Sequence, residues 1–401
     1  MMGAAIAAAS IRHNVPVVIA DADREARASV VARVVAEFGD QKPPAREETA
    51  AAVRRLMVVS ESLDGLRPCN LVVESVPESL ATKHAVYSQL QAVLPANTIL
   101  LSNTSTIPIA RLAGALSDPS RFCGLHFFHP VRERPLVEIV RGPQTSPETV
   151  SRAVAFGWSI EKTPILVEDG PGFLVNRLLV PYLNEALALL REGVSIEEVD
   201  RAAMAFGMAL GPVRLIDEIG IDTVMLAGRV LWEAFPERVI PSPLLVALFK
   251  AGRLGCKSQA GFFRYEPDGP GRLRARPEAK VEALVAEWLE SRRPQSQEQI
   301  QLRLLLTMLL EATRLVEEGK VRDPQTIDTA AVLGLGFPAW RGGLLGWADV
   351  LGADRILTLL RSLEGLGPRA QPTAQLQEMA KRGQKFYPSV SSMPYRPDDL
   401  P

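Results

Sequence analysis

No apolar run in this chain reaches the roughly 20 residues that a membrane-crossing helix needs, so no spanning segment is expected. Surplus charge of one sign is absent as well. The 45 Lys and Arg against 46 Asp and Glu leave a formal net charge of −1, which removes the electrostatic footprint of a nucleic-acid-binding protein. Cysteine is scarce: Cys69, Cys123 and Cys256 lie far apart and form no metal-spaced pair. That usage fits a reduced, intracellular chain with neither a disulfide framework nor a metal site. Histidine is nearly as rare, with four in 401 residues. The small-residue opening "MMGAAIAAAS" lacks the charged start of a signal peptide, and the terminal "YRPDDLP" is no peroxisomal address. The expected location is cytoplasmic. What the chain does have is a globular composition, 47% apolar and 23% charged, and enough length for two or three domains.

Over the first 170 residues short β-branched runs alternate with helical patterns, the signature of βαβ units stacked around a parallel sheet. Strands are predicted at 15–21, 70–76, 98–104, 121–128, 136–140 and 163–169, with a helix over 78–94 between two of them. After Gly170 the period changes, and "PGFLVNRLLVPYLNEALALLREG" begins a region read as wholly helical. An internal repeat runs through it. "NRLLVPYLNEALALLREG" (176–193) matches "LRLLLTMLLEATRLVEEG" (302–319) at a constant offset of 126, pairing Arg177 with Arg303, Glu185 with Glu311 and Gly193 with Gly319. Both copies continue into an acidic residue before small ones, "VDRAA" and "IDTAA". The resulting expectation is a Rossmann-type α/β domain over 1–169, then two all-α domains at 170–265 and 297–390, separated by a Pro-, Gly- and Arg-rich linker with a helical stretch over 266–296.

A dinucleotide-binding domain normally opens with a strand and a G-x-G-x-x-G loop that lets the backbone approach a pyrophosphate at a helix N-terminus. Here only the last glycine of such a loop is present, as Gly3, and the first strand of the sheet is missing. Asp21, 18 residues later at the end of "VPVVIAD", has the spacing of an acid that bonds the adenosine ribose. A carboxylate there repels a 2′-phosphate and so favours NAD over NADP.

Two of the four histidines fall in "GLHFFHPVRERPLVEIV" (124–140), with Glu138 twelve residues after His126. Oxidising a secondary alcohol with NAD requires a base for the hydroxyl proton while hydride leaves carbon. A histidine oriented by a carboxylate supplies one. Residue types alone equally admit a satisfied core histidine and a solvated strand glutamate.

Five stretches together widen the pattern: "SNTSTIPI", the His126 segment, "EDGPGFLVNRLLVPYLNEA", "GPVRLIDEIGIDT" and "GCKSQAGFFRY". In order and spacing they resemble the L-3-hydroxyacyl-CoA dehydrogenase family. With "GLGFPAWRGGLLGWADVLG" in the second helical copy, the chain is most similar to the dehydrogenase portion of the fatty-acid oxidation complex α-subunit, with the hydratase domain of those longer proteins absent. The resemblance implies oxidation of (3S)-3-hydroxyacyl-CoA to 3-ketoacyl-CoA in β-oxidation. By it His126 is the general base, Glu138 its orienting carboxylate, and Ser105 and Asn176 donors to the substrate oxygen. Asp21 would hold the adenosine ribose of NAD, Gly3 would belong to the pyrophosphate loop, and Glu78, Lys83 and Asn103 would lie along the nicotinamide half. It also implies that the second helical copy covers the face through which single-unit relatives dimerise, so homodimerisation there is not required; a thiolase or enoyl-CoA hydratase subunit is a conceivable partner. Two residues depart from the family pattern: His129 replaces a usual asparagine and Gln259 a usual glycine. The missing first strand keeps open an alternative, a shortened relative serving as a binding or assembly protein.

Overall fold

The computed structural model describes residues 2–39, 42, 44–269 and 272–387. Met1, Pro270 and Gly271 of the expected linker, and the C-terminal stretch with "YRPDDLP" lie outside them. The chain forms two units, one ending at Phe173 and one beginning at Leu174.

In the first unit the order is α1 (Met2–Arg12), β1 (Val17–Ala20), α2 (Arg24–Ala36), α3 (Ala45–Leu56), β2 (Met57–Ser60), β3 (Leu71–Glu74), α4 (Leu80–Val93) and β4 (Ile99–Ser102). Then come α5 (Ile109–Ala113), β5 (Phe122–Phe127), β6 (Leu136–Arg141), α6 (Pro147–Ser159) and β7 (Thr163–Glu168). The helices start where the sequence supplies caps. Asp23 accepts from the N–H groups of Glu25 and Ala26, Ser79 from Thr82, and Ser146 from Thr149 with Pro147 at the first helical position.

β1 and β2 pair in parallel as one sheet, and β3-β4-β5-β6-β7 form a second. Among the described residues no strand joins β1 to β3. α1 spans both pieces instead. Its Ala4, Ala7, Ala8 and Ile11 pack with Val17, Ile19, Val30, Val34 and Val53, while Ala5 and Ile6 pack with Leu101, Leu125 and Ile139. The small side chains of the opening helix are part of the interior of an α/β domain.

The larger sheet is parallel except for β5 and β6, which pair antiparallel. Only residues 128–135 connect these two strands, fewer than the dozen or more that a parallel crossover requires. β2 was not among the predicted strands. "RRLMVVS" runs from α3 into β2 without a Gly or Pro to mark the change, so its apolar residues read as more helix.

The second unit holds α7 (Val175–Arg191), α8 (Ile196–Phe206), α9 (Pro212–Ile219), α10 (Ile221–Ala234), α11 (Pro243–Lys250), β8 (Arg264–Pro267) and β9 (Leu273–Arg276). It continues with α12 (Ala279–Ala286), α13 (Gln297–Glu317), α14 (Pro324–Thr329), α15 (Leu344–Leu351), α16 (Ala353–Arg361) and α17 (Ala374–Arg382). The all-α expectation needs one correction: β8 starts at Arg264, inside the 170–265 range expected to be all-α, and forms an antiparallel hairpin with β9 in the expected linker. Both strands are short and largely exposed, so they carry no clear apolar alternation.

The repeat is three-dimensional. Arg177 of α7 bonds Glu311 (Nε–Oε1 2.6 Å) and Glu318 (Nη1–Oε2 2.7 Å). Arg303 of α13, 126 residues on, bonds Glu185 (Nη2–Oε2 2.9 Å) and Glu192 (Nη1–Oε2 2.5 Å). Each arginine thus grips the other copy's glutamates, the reciprocal pattern of a twofold interface inside one chain. Arg177 and Arg303 are only 1% and 4% exposed. Both helices end on a left-handed glycine, Gly193 (φ 88°) and Gly319 (φ 64°), where other residues would be strained. Beyond it Asp200 receives the N–H groups of Val213 and Arg214 at the start of α9, as Asp328 receives those of Leu345 and Gly346 in α15. Asp217 ties down Phe262 and Phe263, and Asp349 ties down Phe386 and Tyr387. No described helix is long and apolar enough to cross a membrane.

Candidate active site

His126 and Glu138 stand directly opposite each other on β5 and β6. Strand alternation turns Leu125, Phe127, Val137 and Ile139 into the core and puts these two on the other face. His126 Nδ1 lies 2.5 Å from Glu138 Oε2. The pair is 4% and 0% exposed, and the imidazole is flanked by Phe128 and Phe173 at centroid distances of 4.5 and 5.9 Å. With Nδ1–H donated to the carboxylate, Nε2 carries the lone pair, and no described residue bonds it. The arrangement can accept a proton at Nε2 and hold the resulting cation against a buried carboxylate.

The loop after β4 is fixed from behind. Glu78 Oε1 accepts the Thr104 hydroxyl (2.6 Å), the Ser105 and Thr106 N–H groups (both 3.0 Å) and the Thr106 hydroxyl (3.1 Å). Burial pushes the Glu78 carboxyl up, but the Thr104 hydroxyl, the Lys83 ammonium and the two N–H donors outweigh it and hold the group below the usual carboxylate range. Ser105 is therefore presented on a loop whose backbone is tied to β3's end. Asn103 Oδ1 accepts the Phe127 N–H at 2.9 Å, clamping the ends of β4 and β5.

Lys83 does not sit where the resemblance put it. It is 0% exposed, with Nζ 2.7 Å from Glu74 and 3.4 Å from Glu78. Glu74 also accepts the hydroxyls of Tyr87 (2.6 Å) and Ser102 (2.8 Å). A wholly buried ammonium balanced in this way props the strand end and has no free surface for a cofactor. Glu78 is likewise committed to the protein's own loop.

Asp21 is exposed just past β1, with Oδ1 accepting the Asp23 N–H. Gly3 opens α1, and a side chain added there would meet only Ser75 Cβ, 3.9 Å away. Ser75 follows β3, and its buried hydroxyl has no partner. An orphaned hydroxyl beside the first turn of a helix, at the carboxyl end of a parallel strand, fits the place where this class of sheet takes a dinucleotide. Sequence reasoning missed Ser75, Glu74 and Asp169, whose carboxylate holds the N–H groups of Ile109 and Ala110 at 2.8 and 2.7 Å. The clue available was an acid closing a β-branched run, as in "NLVVES" and "PILVED".

In the second unit Asn176 lies in the first turn of α7. His129 is exposed beyond β5. Gln259 adopts the left-handed region at φ 57°, a conformation that glycine takes without strain.

Residues 1–170 match the family described as 3-hydroxyacyl-CoA dehydrogenase, NAD binding domain. Residues 172–265 and 300–389 both match its C-terminal domain. The structure is similar to that of 3-hydroxybutyryl-CoA dehydrogenase from Escherichia coli K12, with 26% identity, TM-score 0.79, and coverage of 95% of this chain and 96% of that one. It is also similar to (S)-3-hydroxybutyryl-CoA dehydrogenase from Ralstonia eutropha, with 34% identity, TM-score 0.61, and coverage of 66% and 96%. The dehydrogenase part of multifunctional enzyme 1 from C. elegans shares the fold over 94% of this chain and 87% of that one, at 24% identity and TM-score 0.66.

Proposed function

The chain belongs to the 3-hydroxyacyl-CoA dehydrogenase family, NAD-dependent oxidoreductases, and from that premise we propose that it oxidises (3S)-3-hydroxyacyl-CoA to 3-ketoacyl-CoA in fatty-acid β-oxidation. The observation that carries this reading is the 2.5 Å contact between His126 and Glu138, with no described residue bonding the second ring nitrogen. His126 Nε2 takes the proton of the substrate's 3-hydroxyl, and Glu138 fixes the tautomer and stabilises the imidazolium. Bound NAD would supply the hydride acceptor for the carbon that bears this hydroxyl. Ser105 and Asn176 donate to the oxygen that becomes the ketone. Asp21 would hold the adenosine ribose, Gly3 and the Ser75 hydroxyl would serve the pyrophosphate, and Asn103 would serve the nicotinamide half. Glu78 serves this site through the Ser105 loop.

On the same reading the domains run 1–169, 170–265 and 297–390, and the reciprocal Arg177 and Arg303 pairs make homodimerisation through the helical face unnecessary. Purified chain mixed with acetoacetyl-CoA and NADH should consume NADH, and His126→Ala should abolish turnover while leaving the circular dichroism spectrum intact. Turnover that survives the substitution removes His126 from the chemistry.

A further inference from the structure

The helical unit contains a second concave site that the dehydrogenase reaction does not use. A cavity of about 390 Å³ opens between α7, α13 and the segment 238–243, within the size range of small-molecule sites. One wall is apolar, built from Pro181, Ala188, Val239, Pro241 and Pro243. The other is ionic and belongs to the network joining the repeats.

Among the described residues, that network brings six guanidinium groups, of Arg177, Arg191, Arg238, Arg303, Arg314 and Arg369, to five carboxylates, of Glu185, Glu192, Glu290, Glu311 and Glu318. The surplus cation is Arg238. Its Nη2 is 3.4 Å from Glu311 and 3.5 Å from Glu318, whereas Arg177 bonds both carboxylates more closely. Arg238 Nε and Nη2 are buried without a hydrogen-bond partner. These two N–H groups form one edge of the guanidinium, the edge that grips a carboxylate with both oxygens. Stacking on Phe235, 4.1 Å from the ring centroid, fixes its plane. Burial, together with the like charges of Arg314 and Arg177, holds the group below its ordinary value in spite of Glu311. Ser242, also on the cavity wall and 8% exposed, has a buried hydroxyl with no partner, and so does Arg191 Nε.

Buried polar groups almost always find partners, and here Arg238, Ser242 and Arg191, all lining one cavity, each carry a buried donor that no described residue hydrogen-bonds. We propose that this cavity binds an organic monocarboxylate, with the carboxylate on the Nε/Nη2 edge of Arg238 and the Ser242 hydroxyl, and an apolar body against the proline wall. One surplus positive charge matches a single negative charge; a phosphate dianion would overshoot it. Engaging the Arg238 edge strands neither Glu311 nor Glu318, because Arg177 already bonds both.

The test is calorimetric titration of the full chain with sodium octanoate, with n-octanol and inorganic phosphate as comparisons. One site is expected, with n-octanol and phosphate binding at least about tenfold more weakly, the worth of a charge-assisted bidentate contact. Arg238→Met should weaken octanoate about tenfold or more, and His126→Ala should leave it unchanged, which separates this site from the dehydrogenase centre. No heat with octanoate, equal binding of n-octanol or phosphate, equal affinity in Arg238→Met, or loss in His126→Ala would each overturn the proposal. If Arg238→Met lacks the parent circular dichroism spectrum, Ser242→Ala replaces it: a severalfold loss is expected, and unchanged affinity overturns the site.

Discussion

Replacing Glu138 by glutamine changes one charge inside a site that keeps its shape. The carboxylate is fully buried and sits 2.5 Å from His126 Nδ1. An amide there can present its oxygen, turning a charge-assisted hydrogen bond into a neutral one, or its nitrogen, forcing the tautomer in which Nε2 carries a proton and is no base. In the first case the loss is the difference between about 1.5–3 kcal/mol for a charged partner and about 1 kcal/mol for a neutral one. To it is added the attraction between imidazolium and carboxylate, which at about 4 Å and an effective dielectric near 20 has an upper value of about 4 kcal/mol. The cation exists only once the substrate proton has been taken, so the carboxylate favours the transition state over the ground state. A net penalty of about 2–4 kcal/mol corresponds to a fall in kcat of about 30- to 1000-fold, with KM little altered. The assay is NADH formation from (3S)-3-hydroxybutyryl-CoA and NAD under saturation, with circular dichroism and Tm as checks on folding. A folded Glu138→Gln chain that keeps kcat within about threefold would refute the argument that the carboxylate stabilises the cation.

Three further outcomes follow from particular contacts. Glu78→Gln leaves the dyad untouched but weakens the four contacts holding residues 104–106; kcat should fall about tenfold, the worth of one or two net hydrogen bonds, and an unchanged kcat would show that the loop holds itself. Arg177→Met leaves the Glu311 and Glu318 carboxylates short of their closest partner and should cost about 3 kcal/mol in urea unfolding, with Arg303→Met within about 1 kcal/mol of it because the repeat gives both the same surroundings; losses under about 1 kcal/mol in both would contradict a structural role. Asp200 is pushed up to about 6, first by burial and then by the nearby Asp217 charge, against the pull of two backbone N–H groups. Its folded value is raised, so between about pH 4 and 6 the folded chain binds more protons than the unfolded one, and this group's contribution to stability falls as pH rises through that window, by up to about 3 kcal/mol. A carboxyl titration followed by NMR should place Asp200 near 6, and a midpoint at an ordinary carboxylate value would remove the effect.

The parts of the fold that were legible in the sequence are those where local pattern and tertiary packing agree. Runs such as "VPVVIAD" and "TPILVED" are β-branched, bounded by turn residues, and became β1 and β7. The helical copies were legible because their buried residues recur over several turns. β2 was not, since it follows α3 without a Gly or Pro to mark the change, and the hairpin of β8 and β9 was not, since its largely exposed strands carry no apolar alternation. The His126 and Glu138 pairing could be named from residue chemistry, but its contact depended on an antiparallel register that only the short 128–135 connection dictates. Lys83 shows the opposite limit. A lysine three residues into a helix reads as solvated, and what buries it is Glu74 at the end of a strand nine residues earlier.

The ion-pair network also shows how two helical copies are held against each other within one chain. Two separate helical units would meet only at sufficient concentration, whereas copies on one chain face each other at the high effective concentration set by the segment between them. The strictly repeated residues, Arg177 with Arg303, Glu185 with Glu311 and Glu192 with Glu318, therefore hold α7 against α13 at any dilution. Once the contact is guaranteed covalently, residues around it need not stay equivalent. Glu185 takes Arg369 as its extra partner, while Glu311 takes Arg314 and, loosely, Arg238. The offset grows beyond α7 and α13, with Asp200 answered by Asp328 and Asp217 by Asp349, and there Arg369 meets Glu185 as Arg238 meets Glu311. The copies depart from each other at Arg314, whose match 126 residues earlier is Ala188, so Glu311 is shared by three guanidinium groups where Glu185 meets two, and the cavity opens beside that extra charge.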